Sequence, residues 1–409
     1  MLSKSSRNKS FALWNSIGVA IEYYDYVIFF LLIPYMSSAF FGSEDQDFGI
    51  MRMCLIAATG PWSRLLFSFI FSHLVRHYDV RLILVFGMFA MSAATFCIGW
   101  IPDFSNIGVT SIVLLVVFRV VQGIAFSVEM PNSLIFGSLY LPKIFNIFSS
   151  ITISNAAFGG VLAHAIMWLL EIYFSKQQMS EWAWRIPFFL GSLIGFVGIV
   201  MRRKLIFRTS YLVEEAQVKA SSHLSDFFRL DIWNLVKVAL LWIIPLSMIF
   251  NYMSFPYLFS KNYGFSSQSI YPATILGLIV SGLYGIAFGK FTQAFGFAGK
   301  VQHHLIFYAL FMTVAWIFLG KSIISIYIFC GLYQIVLTSL MNIASKLSLR
   351  VLKTESRVFV IAYNAANAIS SFITFFIVPG KYNAYFALLL IFSCSVYMIS
   401  VDKRSRAFD

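Results

Sequence analysis

Charge is what this sequence has least of. Asp, Glu, Lys and Arg make up 11% of its 409 residues, against 59% hydrophobic residues and a mean hydropathy of +0.81. A water-soluble domain carries about 25% charged residues, so the chain has too few polar side chains to cover a globule in water. Cysteine is also scarce. Cys54, Cys97, Cys330 and Cys394 stand singly in apolar runs, without a C-x-x-C pair or a Cys/His cluster. Neither a disulfide framework nor a metal site is supported. A polytopic membrane enzyme would need a nucleophile–base pair or metal-ligand spacing, and the sequence offers neither. Alternating polar and apolar runs of about ten residues, the mark of a membrane barrel, are missing as well.

Long apolar runs are what the chain does have. They lie at about 11–41, 51–73, 82–101, 108–131, 144–173, 186–203, 233–258, 271–295, 302–320, 322–345, 356–379 and 383–401. A hydrocarbon core about 30 Å thick takes roughly 20 helical residues, so these runs read as about twelve transmembrane helices. The expectation is an all-α integral membrane protein. The basic start and apolar run at the N-terminus could pass for a signal peptide. That run is too long, holds two acids and lacks an A-x-A site, so it reads as a retained first helix.

Net charge is +13, and its distribution matters more than its size. Lys4, Arg7 and Lys9 precede the first run, and Lys403, Arg404 and Arg406 follow the last. With loops assigned alternately, most of the 30 Lys and Arg share the side of both termini, which the positive-inside rule makes cytoplasmic. The acidic loop with Glu44, Asp45 and Asp47 then falls outside. The basic excess reads as topology and contact with anionic membrane lipid, not as a nucleic-acid site. The longest polar segment, 201–231, divides the chain into expected six-helix bundles at 1–200 and 232–409, joined by a cytoplasmic loop. Two pseudo-symmetric bundles point to a transporter with its solute site between them. Small residues Gly277, Ser281, Gly285 and Gly289 recur every four positions, a spacing that lets a neighbouring helix come close.

Ionisable residues inside spans are costly and are functional candidates by default. Glu22 and Asp25 lie in IEYYDY (21–26), three residues apart and so on one helical face. Tyr23, Tyr24 and Tyr26 surround them with hydroxyls and rings. A carboxyl crowded by a second acid in lipid is suited to taking up and releasing a proton; solvated, structural acids at a helix end are the alternative. Arg119 and Glu129 lie on the fourth run about 15 Å apart along the axis, too far to pair. Pro131 lacks a backbone donor and loosens the helix beside Glu129. Arg119 and Arg64 are candidates either for a solute carboxylate or for internal ion pairs. The second half supplies milder groups: Asn251, Tyr252, Gln334, Asn342, Asn364 and Asn367. Isolated Asn in a span is more often interhelical glue than ligand. The lone His164 reads as a core histidine.

These residues carry a family resemblance. IEYYDYVIFFLLIPYM resembles the first-helix signature E-W-Y-D-F…P of the metabolite:proton symporters in the major facilitator superfamily. In the same order, SRLLFSFIFSHLVRHYDVR (63–81) is similar to R-P-x-G…G-H-L-G-D-R-x-G-R-R, keeping Arg64, His73 and Arg81. RVVQGIAFSVE (119–129) keeps Arg119, Gln122, Gly123 and Glu129 of R-x-x-Q-G-x-x-x-G-G-E, and WAWRIPFFLG (182–191) is close to W-G-W-R-I-P-F. YNAANAISS (363–371) resembles the Tyr-Asn segment of the eleventh helix. The pattern is broken where Arg76, His77, Asp79 and Val80 replace Asp, Arg, Gly and Arg, at Gln293 for an Asp, and at Ser127 and Val128 for two glycines.

The resemblance implies a cytoplasmic-membrane symporter working by alternating access, with a proton or sodium as coupling ion and no cofactor. It makes Asp25 and Glu22 the coupling acids and puts Arg119 and Glu129 in a fourth-helix charge network; Glu129, an acid at a helix break, is a further candidate for proton coupling or gating. Solute contacts are expected from Arg119, Arg64, Tyr23, Tyr26, Gln122, Asn251, Tyr252 and Asn364. The Tyr cluster with Trp14 can face an ammonium through cation–π contact, which favours a zwitterion such as proline or betaine. An organic-acid symporter of the dicarboxylate or shikimate kind is the alternative, and a relative that binds or senses solute without coupled transport is another. The partners expected are the solute and lipid, around a monomer.

Overall fold

The computed structural model describes residues 4–42, 46–77, 80–127, 129–206, 232–295, 322–352 and 356–377. The runs expected at 302–320 and 383–401, loop residues 207–231 and Cys394 lie outside the described residues. So do the side chains of Trp14, His73, Arg76, His77, Asp79, Val80, Arg81, Val128, Glu129 and Gln293.

Among the described residues the elements are helical. They run α1 Lys4–Phe41, α2 Gln46–His77, α3 Val80–Trp100, α4 Phe104–Ile107, α5 Val109–Phe126, α6 Glu129–Tyr140 and α7 Phe145–Tyr173. Then follow α8 Lys176–Glu181, α9 Ile186–Ile206, α10 Ile232–Tyr263, α11 Ser267–Phe295, α12 Ile323–Leu352 and α13 Ser356–Ile377. Eight of them (α1, α2, α5, α7, α9, α10, α11 and α12) are long and apolar enough to cross a membrane. Shorter apolar stretches, Phe86–Trp100 in α3 and Val358–Phe372 in α13, supply two more of the expected spans.

The fourth run differs from expectation. It is not one helix over 108–131 but α5 and α6, with Ser127 closing α5 through its N–H to the Ile124 carbonyl. Pro131 falls in the first turn of α6, where the missing donor breaks no helix bond. α9, the sixth expected span, also runs further than expected, to Ile206, into the start of the segment read as loop.

The bundle is inverted relative to a soluble protein. Leu66, Phe86, Trp100, Leu193 and Leu283 are exposed, while Glu22, Asp25, Arg64, Arg119, Gln122, Asn364 and Asn367 are buried. Lipid accepts the apolar exterior, and polar groups turn inward where other polar groups await them. α1 packs on α2, α7 and α9, α3 on α5 and α9, and α2 on α5. α10 packs on α11, α12 and α13, and α11 on α12. The two sets meet chiefly where α7 lies along α11 and α2 along α13.

Close backbone approach makes these seams. A Cβ at Gly123 would collide with the Ser63 hydroxyl and the Gly60 carbonyl, so α5 touches α2 only because that position is bare. The ladder on α11 works the same way: Gly285 faces Ser154 and Gly289 faces Ser150 of α7. The W-A-W-R-I-P segment forms a staple. Arg185 pairs with Asp103 at 2.6 Å, donates to the Ile101 and Glu181 carbonyls, and stacks on buried Trp184. Replacing Gly123 by Val should therefore destabilise the protein by about 1–3 kcal/mol through overpacking, read as a lowered melting temperature in detergent.

Candidate functional site

The buried polar groups fall into two clusters around α1. In the first, Thr95 of α3 stands between Asp25 and Gln122. The Thr95 hydroxyl lies 3.0 Å from Asp25 Oδ2 and 2.9 Å from the Met91 carbonyl, and it accepts from Gln122 Nε2 at 2.8 Å. Gln122 Oε1 in turn accepts from Arg119 Nη1 at 3.0 Å, and Arg119 Nη2 donates to the Ala57 carbonyl at 3.2 Å. Arg119 also lies 3.9 Å above the Phe29 ring. Arg119 and Asp25 are thus connected through two neutral side chains, not by an ion pair. Asp25 Oδ1 and Arg119 Nε have no hydrogen-bond partner among the described residues.

The spacing of α5 explains this relay. Arg119 and Gln122, one turn apart, share a face, and the bare Gly123 lets that face press against α2. On the other side Gly191 of α9 packs against the Asp25 carboxyl and the Tyr24 ring. Tyr24 points away from the relay and donates to the Pro187 carbonyl at 2.9 Å.

The second cluster joins the two helix sets. Arg64 Nε donates to Asn364 Oδ1 of α13 at 2.6 Å, and Asn364 Nδ2 donates to the Ser127 carbonyl at 3.1 Å. The guanidinium lies 4.7 Å from the Phe126 ring centre and 5.2 Å from that of Tyr363, and its Nη2 has no partner among the described residues. Tyr26 donates to Asn367 Oδ1 at 3.2 Å. Arg64, Arg119, Asp25, Gln122 and Tyr26 line one cavity of about 20 Å³. Glu22, Tyr23, Tyr26 and Arg64 line a neighbouring one of about 30 Å³. Glu22 and Asp25, on one helical face in the sequence reading, are both buried but open on different chambers.

Two expected residues stand apart from these clusters. Asn251 donates to the Ser247 carbonyl of its own helix, an intrahelical role. Tyr252 donates to the Thr274 carbonyl and lines a third cavity of about 30 Å³ with Tyr23, His164 and Gln334. The ring of His164 is buried as expected, its Nδ1 2.9 Å from the Gly160 carbonyl. Thr95 was missed, since a lone threonine in an apolar helix carries no sequence signal. Glu171 was missed as well: it sits at the end of a run and looks like a boundary residue.

Hydrogen bonds cross between the helix sets at both ends, one group of them where α7 begins. There Ser150 of α7 meets Asn342 of α12 and Asn146 of α7 donates to the Thr292 carbonyl of α11, while Lys346 donates to the Thr292 hydroxyl within the second set. At the other end, where α1 and α10 finish, lies a cavity of about 360 Å³ lined in part by Phe30, Tyr35, Glu171, Phe250 and Tyr257. Phe30 and Phe250 meet edge to face at 5.2 Å on its floor, and Phe250 also lines the Glu22 chamber.

Comparison with known proteins agrees with this architecture. A family model described as Major Facilitator Superfamily matches residues 16–375. The Proline/betaine transporter of Salmonella typhimurium is 29% identical over 196 residues, covering 46% of this chain and 38% of the relative. The Glycine betaine/proline/ectoine/pipecolic acid transporter OusA of Dickeya dadantii is 29% identical over the same share of each chain. The chain thus spans well under half the length of the curated relatives it matches. Among solved structures, a partially occluded, inward-open form of the xylose transporter XylE from E. coli superposes with a TM-score of 0.72 at 12% identity. That match covers 97% of this chain and 98% of the neighbour.

The Arg64–Asn364 bond predicts its own test. Asn364→Leu removes the acceptor from a buried guanidinium, which should cost about 1–3 kcal/mol or more and lower the melting temperature. Asn364→Asp, which keeps an acceptor, should retain most of it.

Proposed function

The chain belongs to the Major Facilitator Superfamily, and from that premise we propose that this multi-pass membrane transporter couples a proton to import of a small carboxylate-bearing solute. The solute class favoured is a zwitterionic osmolyte such as proline or betaine, the solutes for which the two relatives are named. Import would proceed by alternating access across a cytoplasmic membrane, with both termini on the cytoplasmic side.

The observation that carries the reading is the placement of Thr95. Its hydroxyl has one proton and two lone pairs. With Asp25 ionised, the hydroxyl donates to the carboxylate. With Asp25 protonated, the acid donates to Thr95, whose own proton turns to the Met91 carbonyl while a lone pair still accepts from Gln122. Asp25 Oδ2 thus keeps a hydrogen bond to Thr95 in both states with one arrangement of heavy atoms, which suits a reversible proton carrier in a dry interior.

The arginines supply the second half of the reading. Arg64 and Arg119 line one cavity, are held by neutral partners, and each keeps an unpartnered N–H. In a state that widens this water-sized cavity, a solute carboxylate would meet two charged donors at once. The same feature suits an organic acid, which keeps that class as the second reading.

Uptake of labelled proline into proteoliposomes under an imposed proton gradient tests this. Accumulation is expected from the wild type and not from Asp25→Asn. Thr95→Val should lower it about tenfold, the equivalent of one lost hydrogen bond of about 1.4 kcal/mol, while Thr95→Ser keeps it. Accumulation of α-ketoglutarate in place of proline selects the organic-acid reading, and Asp25→Asn transport equal to wild type overturns the coupling role.

A further inference from the structure

Glu171 lies on α7, far along the chain from the acids of α1, and is 8% exposed. Its two carboxylate oxygens accept from hydroxyls: Oε1 from Tyr35 and Oε2 from Ser267, each at 2.5 Å. Gln268 donates to its backbone carbonyl, so α11 holds the residue from two sides. A carboxylate offers about four acceptor positions, and neutral donors fill two of them without cancelling the charge. The group forms part of the wall of the cavity of about 360 Å³, within the range of small-molecule sites.

The rest of that wall mixes aliphatic, serine and charged residues with five aromatic ones. Phe30, Tyr35, Phe250, Tyr257 and Tyr271 line it. Aromatic faces around a buried anion form the surroundings in which an ammonium group is held, since rings and carboxylate both attract positive charge. Two lysines also line the cavity. Lys261 is paired with Asp47 at 2.5 Å, and Lys176 is exposed, so water screens it.

We propose that this cavity is a binding site for an organic ammonium group, with Glu171 as its counter-charge and the rings as its cage. It is separate from the Asp25–Arg119 relay, and it does not depend on proton coupling. The Phe30–Phe250 contact stands at its floor, so the site lies on the path toward the Glu22 chamber.

Choline and its uncharged carbon isostere 3,3-dimethyl-1-butanol are the probes, with thermal stabilisation of the purified full chain as readout. A ligand that binds only the folded state raises the melting temperature. Choline should stabilise the wild type saturably, and the isostere should not. Glu171→Gln should raise the apparent Kd for choline about tenfold or more, as expected when a charged partner is lost. Tyr257→Leu, at the cavity mouth, should weaken binding without touching the carboxylate, and it serves if the Glu171 variant does not fold. Asp25→Asn should bind choline as the wild type does, which separates this site from the coupling reading even if proline uptake fails. No stabilisation by choline, equal stabilisation by the isostere, unchanged binding in both Glu171→Gln and Tyr257→Leu, or dependence on Asp25 would each overturn the assignment.

Discussion

A charged group inside a lipid-facing bundle must be met by protein donors or acceptors, because no water reaches it to do so. In this molecule that constraint is met with neutral partners. Asp25 is met by a threonine hydroxyl, Arg119 by a glutamine and a backbone carbonyl, Arg64 by an asparagine, and Glu171 by a tyrosine and a serine. Direct ion pairs would quench these charges. Hydrogen bonds from neutral groups keep them buried yet able to respond to a proton or a solute.

The relay around Asp25 depends on distances that only bare backbone allows. Gly123 brings α5 against α2, and Gly191 brings α9 against the carboxyl itself. A side chain at either place would push Arg119 or Asp25 out of register with Thr95. The Q-G pair of α5 therefore does two things in adjacent positions: Gln122 bridges Arg119 to Thr95, and Gly123 supplies the room.

The two ends of the molecule differ. At one end Ser150 with Asn342, Asn146 with Thr292, and Arg64 with Asn364 bridge the helix sets by hydrogen bonds. At the other, Ser267 and Gln268 of α11 bond to Glu171 of α7, and Lys261 of α10 pairs with Asp47 of α2, around a cavity floored by Phe30 and Phe250. Polar bridges of this kind can be exchanged for water one at a time, whereas a continuous apolar seam could not open without exposing its whole area. Such an arrangement suits a carrier that must close one end while the other admits solute.

Much of this was legible along the chain. Composition and run length specified a many-helix membrane protein, because lipid allows few other solutions for so apolar a sequence. The motifs named the family, and spacing along a single helix recognised the α11 ladder as a packing face. Long-range assembly decided the rest. That Thr95 would stand between Asp25 and Gln122, that Arg64 would find Asn364 300 positions away, and that Glu171 would face an aromatic cavity all depend on which helices become neighbours. A threonine or glutamate looks the same in sequence whether it meets lipid, water or a partner, and only tertiary packing chooses among them.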